Sequence, residues 1–309
     1  MDRHRAGIVY GLAAYVLWGL LTIYWKELSG LNAFGLIGQR ILWAVLFLGL
    51  VLLVTRRAGE LRTVFATRDR RLLLRVGVAS VLLAVNWTTY VWAVTHDNVI
   101  ETALGYFLAP LGLVALGVFV LREHLRRAQV VALGIASIAV VVLAAGYGRV
   151  PWFALTLAVT WSGYGLLKKT VPLGPLSSLT LEALLLLPLA LVAIAATEAA
   201  DDGIFAHADT LQFVLVPLAG AVTAVPLLLF AAAAHRVPLS TLGPLQYAVP
   251  VINFALGVGI YDEAMPGWRL AGFALVWVAL VVFTVDGLRA TRAPRSEPHP
   301  ELEPVPLEG

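Results

Sequence analysis

Residues 33–54 read AFGLIGQRILWAVLFLGLVLLV, a run of twenty-two residues with a single charged side chain, Arg40. A helix of this length spans about 33 Å, which covers the roughly 30 Å hydrocarbon core of a bilayer. Since no water is present there to bond the backbone, the segment must be a helix that satisfies its own hydrogen bonds. The stretch therefore predicts a transmembrane helix.

Nine further segments have the same apolar character, and they cover most of the chain. Of the 309 residues, 60% are hydrophobic and 13% are charged, whereas a soluble domain carries about 25% charged residues. The sequence predicts an all-α integral membrane protein of ten transmembrane helices, with the lipid bilayer as its main solvent. The other nine segments are 8–25, 72–94, 99–121, 129–146, 151–168, 176–197, 211–234, 239–261 and 267–287.

Basic residues are distributed unequally among the connecting segments. With the amino terminus in the cytoplasm, eighteen of the 22 Lys and Arg residues fall in cytoplasmic segments, and only Lys26, Arg149 and Arg269 fall outside. This asymmetry predicts an N-in, C-in topology. Because these residues orient the chain in the membrane, the net charge of +3 does not indicate a nucleic-acid partner. The Pro- and Glu-rich residues 289–309 predict a disordered cytoplasmic tail.

Two stretches match each other at a constant offset of 140 residues. Between 110–123 and 250–263, six of fourteen positions are identical. A looser match at an offset of 143 pairs Trp18 with Trp161. The alternative to an internal repeat is chance similarity among hydrophobic helices.

The repeat has a consequence for topology. Residues 1–146 and 147–288 would each hold five helices, and an odd number requires the two halves to insert with opposite orientations. Inverted five-helix repeats around a central site are a common plan of transporters. The pattern therefore favours a protein that alternates between two related shapes.

Two charged residues lie well inside predicted spans, where a charge costs about 2.5–3.5 kcal/mol on insertion scales. Arg40 and Glu182 are 142 residues apart, so the repeat places them at nearly equivalent positions. In the functional interpretation they line a central cavity, Arg40 for an anionic group and Glu182 for a cation or a transported proton. The alternative is a buried ion pair that locks the halves together.

Other charged residues are expected near the membrane interfaces. Glu101 opens the fourth span, where it could cap the helix against the macrodipole or act as a second proton carrier after Glu182. Lys168 and Lys169 are expected to extend to the cytoplasmic interface, and Glu123 and Glu263 to lie at interfaces as well.

A set of aromatic and amide residues suits a cavity for flat or amphiphilic solutes. For each of them, helix packing is the alternative role. The members of this set are Tyr15, Trp18, Asn86, Trp87, Tyr90, Tyr106, Gln246 and Tyr247.

Several chemistries are excluded by what the sequence lacks. With no cysteine, it offers no disulfide and no thiolate ligand or nucleophile. It contains no Walker motif, no HExxH, no Gly-x-Ser-x-Gly and no paired acidic cluster for a metal. We therefore expect no catalytic residue, no metal and no cofactor.

Taken together, these motifs resemble the RarD branch of the EamA family, in the drug/metabolite transporter superfamily. The resemblance extends from about residue 6 to 288. Arg122 and Asp262 depart from it, since they precede the glutamates where the family pattern often has Gly. The resemblance is carried by Ala14-Tyr15 to Trp18-Gly19, Gln39-Arg40 to Trp43, Asn86-Trp87 with Trp92-Ala93-Val94, Glu101 with Leu104-Gly105-Tyr106-Phe107 and Pro110, Leu239-Ser240-Thr241-Leu242-Gly243 with Gln246-Tyr247 and Pro250, and Phe273 with Trp277-Val278-Ala279-Leu280.

This resemblance implies a multi-pass protein of the bacterial cytoplasmic (inner) membrane that exports small metabolites, amino acids or drugs without ATP. The expected function is secondary active transport of a small-molecule solute by alternating access through a central cavity. The alternatives are a membrane-embedded enzyme acting on lipid or prenyl-linked substrates, and a passive channel. Substrate, coupling ion and oligomeric state are left open.

Overall fold

The computed structural model describes residues 2–56, 58–67, 69–95, 99–147, 150–260 and 267–292. Within these ranges the chain is helical, with no strand, so the prediction of an all-helical fold is confirmed. The helices are α1 (Arg3–Glu27), α2 (Ala33–Thr55), α3 (Gly59–Thr67), α4 (Arg70–Thr95), α5 (Val99–Phe119), α6 (Arg127–Tyr147), α7 (Trp152–Thr170), α8 (Pro175–Ala199), α9 (Ile204–His207), α10 (Thr210–Ala234), α11 (Leu239–Leu245), α12 (Ala248–Gly259) and α13 (Gly267–Arg292).

Five helices are long and apolar enough to cross a membrane in the part of the chain that is described. They are Arg3–Glu27, Ala33–Thr55, the Arg70–Tyr90 part of α4, Pro175–Ala199 and Thr210–Ala234. Shorter apolar helical segments lie at Leu104–Phe119, Arg127–Val142 and Leu270–Phe283. The chain is therefore a multi-pass membrane protein.

Each of the ten apolar segments predicted above falls on helix, but the segment at 239–261 is divided between α11 and α12. Pro250, the third residue of α12, has no N–H to donate to the carbonyl of Gln246, and this favours a break between the two helices. Helix α13 continues through Arg292, so the tail boundary predicted at residue 289 lies inside a helix. Residues 293–309 lie outside the described ranges.

Local hydrogen bonds mark where two of the long helices begin. The side chain of Asn32 accepts from the backbone N–H groups of Phe34 and Gly35 at the start of α2. Asp209 and Gln212 form a reciprocal capping box at the start of α10. Both capping interactions satisfy backbone N–H groups that have no partner within the helix.

The long helices pack into one bundle around a shared core. Helix α1 contacts α10, α11 and α12, while α2 contacts α8 and α10. Helix α7 contacts α4 and α5, α8 also contacts α4, and α6 contacts α13. The central core includes Tyr15, Leu113, Tyr164, Phe230 and Leu242, none of them more than 1% exposed. Tyr15 connects this core to a cavity that it also lines.

Candidate functional site

A cavity of about 400 Å³ opens between α1, α2, α4, α5, α7, α10 and α12, a size typical of small-molecule sites. Eight of the ten residues predicted for a central cavity line it: Tyr15, Trp18, Arg40, Asn86, Trp87, Tyr90, Tyr106 and Gln246. The set comes from four different helices and from the α11–α12 junction, so only the folded bundle brings it together.

Arg40 is the only charged residue among the described residues that line this cavity. Its Nε donates a 2.7 Å hydrogen bond to Oγ1 of Thr223 on α10. The guanidinium carbon lies 4.1 Å from the ring centroid of Trp87 and 4.9 Å from that of Trp25. Two indole faces therefore hold the cation by cation–π attraction, and within the described part of the chain no carboxylate pairs with it.

The amide groups in the wall have defined orientations because their partners can bond in only one way. The indole Nε1 of Trp161 can only donate, so the atom of Gln246 that it contacts at 3.1 Å is the amide oxygen. The carbonyl oxygen of Leu157 can only accept, so Asn86 offers it the amide nitrogen, at 3.0 Å. Gln246 thus keeps its NH₂ group for a solute, and Asn86 keeps its oxygen.

Aromatic rings form the floor of the cavity. Trp18 and Trp161 pack edge to face, with ring centroids 5.2 Å apart and planes inclined by 81°. Tyr15 lies against Trp18 and is fully buried, and its hydroxyl has no hydrogen-bond partner among the described residues. Because it is fully buried, this hydroxyl does not reach the surface of the cavity, and a buried hydroxyl without a partner is costly.

The cavity extends in one direction along the bundle. Its lining runs along α1 from Tyr15 to Trp25, reaches Leu28 and Leu31 in the α1–α2 connection and includes Ala33 at the start of α2. No residue from the first two turns of α1 takes part. The cavity therefore lies in the half of the bundle that is remote from the amino terminus.

The opposite end of the bundle is closed by polar contacts around the α10–α11 connection. Glu123 accepts hydrogen bonds from the backbone N–H groups of Leu239 and Ser240, at 2.9 and 2.8 Å. Lys169 donates to the carbonyl oxygen of Val237 at 2.6 Å and lies 3.8 Å from Glu123. These contacts tie the α5–α6 connection to the start of α11.

Glu182 does not line the large cavity. Its carboxylate lies 2.5 Å from Nζ of Lys168 and also accepts hydrogen bonds from Ser178 and Tyr164, at 2.9 and 3.1 Å. Its side chain and that of Lys168 are each only 1% exposed. The expectation that Lys168 extends to the cytoplasmic interface is therefore wrong, because its ammonium group finds a buried carboxylate on α8. Within the contacts described, Arg40 and Glu182 do not pair with each other.

Tyr247 also lies apart from the cavity. It is buried against Phe107, whose carbonyl accepts a hydrogen bond from the tyrosine hydroxyl at 3.2 Å. Glu101 falls in α5, but its side chain lies outside the described part of the structure, as does Glu263. Their predicted roles at a helix end or interface stay predictions.

Several lining residues were not predicted as site residues. Trp161 carried a signal, since the repeat pairs it with Trp18. From the sequence, Trp25 is expected to be an aromatic residue at the membrane interface. Thr22 and Asn253 are joined by a 2.9 Å hydrogen bond but are 231 residues apart in the chain. No local pattern connects such a pair.

The chain is similar in sequence to known bacterial transporters. The EamA-like transporter family matches residues 5–145. The chain is 44% identical to Protein RarD of Streptomyces exfoliatus over 295 residues, which covers 96% of this chain and 93% of that protein. It is 39% identical to an uncharacterized transporter of Pseudomonas aeruginosa (93% and 96% covered) and 34% identical to Protein RarD of Escherichia coli (93% and 97% covered).

A solved crystal structure, 20% identical in sequence, superposes with a TM-score of 0.68 and covers 93% of this chain and 99% of its own. At that identity the similarity concerns the fold alone. The helical bundle, its central cavity and these relatives define a bacterial multi-pass membrane transporter. The chain belongs to the EamA family, as a RarD-like member.

Proposed function

We propose that this protein is a secondary active transporter that moves a small organic solute by alternating access through the central cavity. The observation that carries the proposal is a cavity of about 400 Å³ that holds a cationic side chain at membrane depth and is closed at the other end of the bundle by Glu123 and Lys169. A charge inside a membrane protein typically marks a pathway for a substrate or an ion. A site with one open and one closed end is what alternating access requires.

The pattern of helix packing supports two inverted five-helix repeats, residues 1–146 and 147–288. In this correspondence α1 pairs with α7, α2 with α8, α4 with α10, α5 with α11–α12, and α6 with α13. The contacts between helices then fall into symmetric sets. The contact of α1 with α10 has its counterpart in α7 with α4, and the contact of α2 with α10 in α8 with α4. The contact of α5 with α7 corresponds to that of α11 and α12 with α1. Two related halves can exchange shapes about one site.

The equivalent positions of the two halves differ in their chemistry. At the offsets of 142 and 143 residues, Arg40 corresponds to Glu182 and Trp25 to Lys168. One half therefore has a cation–π contact beside the open cavity, and the other has a buried ion pair in the closed end. In alternating access the closed half opens in its turn, which exposes Lys168 and Glu182 to the opposite side.

Orientation follows from the distribution of basic residues. With the amino and carboxyl termini in the cytoplasm, the cavity opens to the outer face of the bacterial inner membrane, so this structure corresponds to the outward-open conformation. Export is the direction that the family resemblance implies. A solute would then be released from the state described here.

Transport in proteoliposomes tests the proposal. The purified protein is assayed with a panel of amino acids, small metabolites and chloramphenicol, with and without a pH gradient, and by counterflow. We expect solute flux that shows counterflow and that falls at least about tenfold in Arg40→Gln, the loss that about 1.4 kcal/mol of binding produces. Arg71→Gln, an exposed arginine at the start of α4, is the matched control and retains the flux. No flux for any compound would count against transport.

The two alternative functions would give different results in the same assay. A passive channel gives flux without counterflow. A membrane-embedded enzyme that acts on lipid or prenyl-linked substrates gives a modified lipid and no flux. The cavity supports a transporter better than an enzyme, because the described residues that line it include no acid, no histidine and no cysteine.

A further inference from the structure

The cavity contains a partly buried cation, Arg40, that no carboxylate among the described residues neutralises. From this we infer that its solute is a flat organic anion, a carboxylate joined to an aromatic or other planar body, and that Arg40 determines this specificity. The inference rests on the proposed transport function and deepens it by naming the class of the substrate.

The terminal nitrogens of Arg40 are available to an anionic solute. Nε of Arg40 is occupied by Thr223, at 2.7 Å, while its two terminal nitrogens are the pair that a carboxylate engages in bidentate fashion. No carboxylate among the described residues competes for them, since Glu182 is held by Lys168 at 2.5 Å. A charged group without a counter-ion in a low-dielectric site is costly, and an anionic solute would remove this cost.

The neutral polar groups of the cavity wall offer an ammonium group no counter-charge. The oxygen of Gln246 is used by Trp161, which leaves its NH₂ group as a donor. Asn86 offers its amide oxygen, since its nitrogen is bonded to Leu157 and Thr160. The ammonium group of a cation or of an amino acid would therefore find neutral acceptors only, whereas a carboxylate finds a cation and the NH₂ donor of Gln246.

Aromatic walls limit the shape of the solute. Indole and phenol rings from α1, α4, α5 and α7 make up much of the wall, and such surfaces stack on planar groups. Aromatic cages can also bind ammonium groups. Here Arg40 already lies over the faces of Trp25 and Trp87, so a second cation would meet a like charge. The walls therefore suit a flat body, and the charge selects an anion.

A set of three ligands that share a ring system and differ in charge tests this inference: naphthoate, naphthamide and naphthylmethylammonium. Their Kd values are measured by isothermal titration calorimetry on the full-length protein in phosphatidylcholine nanodiscs. Because hydrogen bonds to charged groups are about twice as strong as neutral ones, we expect naphthoate to bind at least about tenfold more tightly than naphthamide. We expect the ammonium compound to bind most weakly.

Variants assign the preference to Arg40. In Arg40→Gln the Kd of naphthoate should rise to within about twofold of that of naphthamide, whose own Kd stays unchanged and so reports intact folding. Arg40→Lys keeps the charge and should keep the preference for the anion, and Arg71→Gln should behave as wild type. Equal affinity for the three ligands in wild type, no binding of any of them, or a preference that survives Arg40→Gln would each overturn the inference.

Two further measurements distinguish a free solute from a lipid headgroup, and binding from transport. If phosphatidylglycerol in the nanodiscs abolishes naphthoate binding, Arg40 serves a lipid headgroup, and the inference of a free solute is wrong. Counterflow separates this inference from the proposed function. If naphthamide and naphthoate are transported equally well, the protein is a transporter but the proposed preference for anions is wrong. If naphthoate binds selectively but no flux is seen, the preference for anions is supported and the proposed transport function is wrong.

Discussion

The Nζ atom of Lys168 lies 2.5 Å from a carboxylate oxygen of Glu182, and both side chains are 1% exposed. Lys168 also donates to Ser178 at 2.9 Å, and Tyr164 donates to the second oxygen of Glu182 at 3.1 Å. The pair joins α7 to α8 near the closed end of the bundle. Two roles are compatible with this position, a structural lock of the closed half and a site of proton coupling.

Removal of one member of the pair should be far more damaging than removal of both. Glu182→Gln leaves the Lys168 ammonium buried without a counter-charge, so we expect a loss of about 3–5 kcal/mol in the free energy of unfolding. Lys168→Met should cost a similar amount. The double variant Lys168→Met/Glu182→Leu should recover most of the loss, as measured by thermal unfolding of the detergent-purified protein.

The same variants separate the two roles. If the pair is structural, the double variant retains flux that depends on the pH gradient. Loss of gradient dependence in a double variant that is folded and still shows counterflow would instead make Glu182 the proton carrier, as the sequence suggested.

Glu123 should control access from the closed end. Its carboxylate holds the N–H groups of Leu239 and Ser240, and Glu123→Gln weakens these bonds and the interaction with Lys169. Because the chain has no cysteine, a single Ser240→Cys substitution reports directly on opening. We expect a membrane-impermeant maleimide to label Ser240→Cys slowly, since Ser240 is 4% exposed, and several times faster when Glu123→Gln is added.

Glu60 provides the control for this labelling experiment. It also accepts a backbone hydrogen bond, from Gly174 at 2.9 Å, but this bond lies away from the α10–α11 connection. Glu60→Gln should leave the labelling rate unchanged. Equal acceleration by both substitutions would mean that labelling reports general loosening of the bundle.

Two helical glycines should respond in opposite ways to the same substitution. A Cβ atom at Gly220 of α10 would overlap the backbone of Trp43 and Ala44 on α2, whereas one at Gly49 of α2 would meet nothing within 4 Å. We expect Gly220→Ala to lower stability by about 1–3 kcal/mol through overpacking. Gly49→Ala should be neutral or raise stability by up to about 1 kcal/mol through helix propensity. Thermal unfolding of the two purified variants measures the difference, and equal shifts would contradict this packing.

Arg122 adopts a left-handed backbone conformation, with φ of 55°. Because glycine reaches this conformation without the cost of a Cβ atom, about 1–2 kcal/mol, Arg122→Gly should raise the unfolding temperature. Arg122→Ala keeps the Cβ atom and should give no gain, so a comparable rise in both variants would show that removal of the charge is responsible.

The composition of the cavity wall could be predicted from the sequence to a large extent. Arg40 stands out because a charge inside an apolar run needs a reason, and Asn86 and Gln246 stand out because amides are costly at the same depth. Trp25 and Thr223, which hold the guanidinium, carry no such signal, since a tryptophan or a threonine in a membrane helix is ordinary. The position of Lys168 was predicted wrongly for a related reason. A lysine near the end of a span usually extends to the interface, and only the position of α8 brings a carboxylate to it.

The sequence by itself determined that the chain is a helical membrane protein and where most of its long helices lie. These properties are local, because hydropathy over about twenty residues selects the spans and each helix satisfies its own backbone within lipid. Only the tertiary structure decided which polar residues meet. Whether Arg40 contacts Glu182 or two tryptophans depends on the rotation and tilt of helices that pack with partners far away in the chain. No pattern in a single helix encodes that choice, because it is made by the packing of the whole bundle.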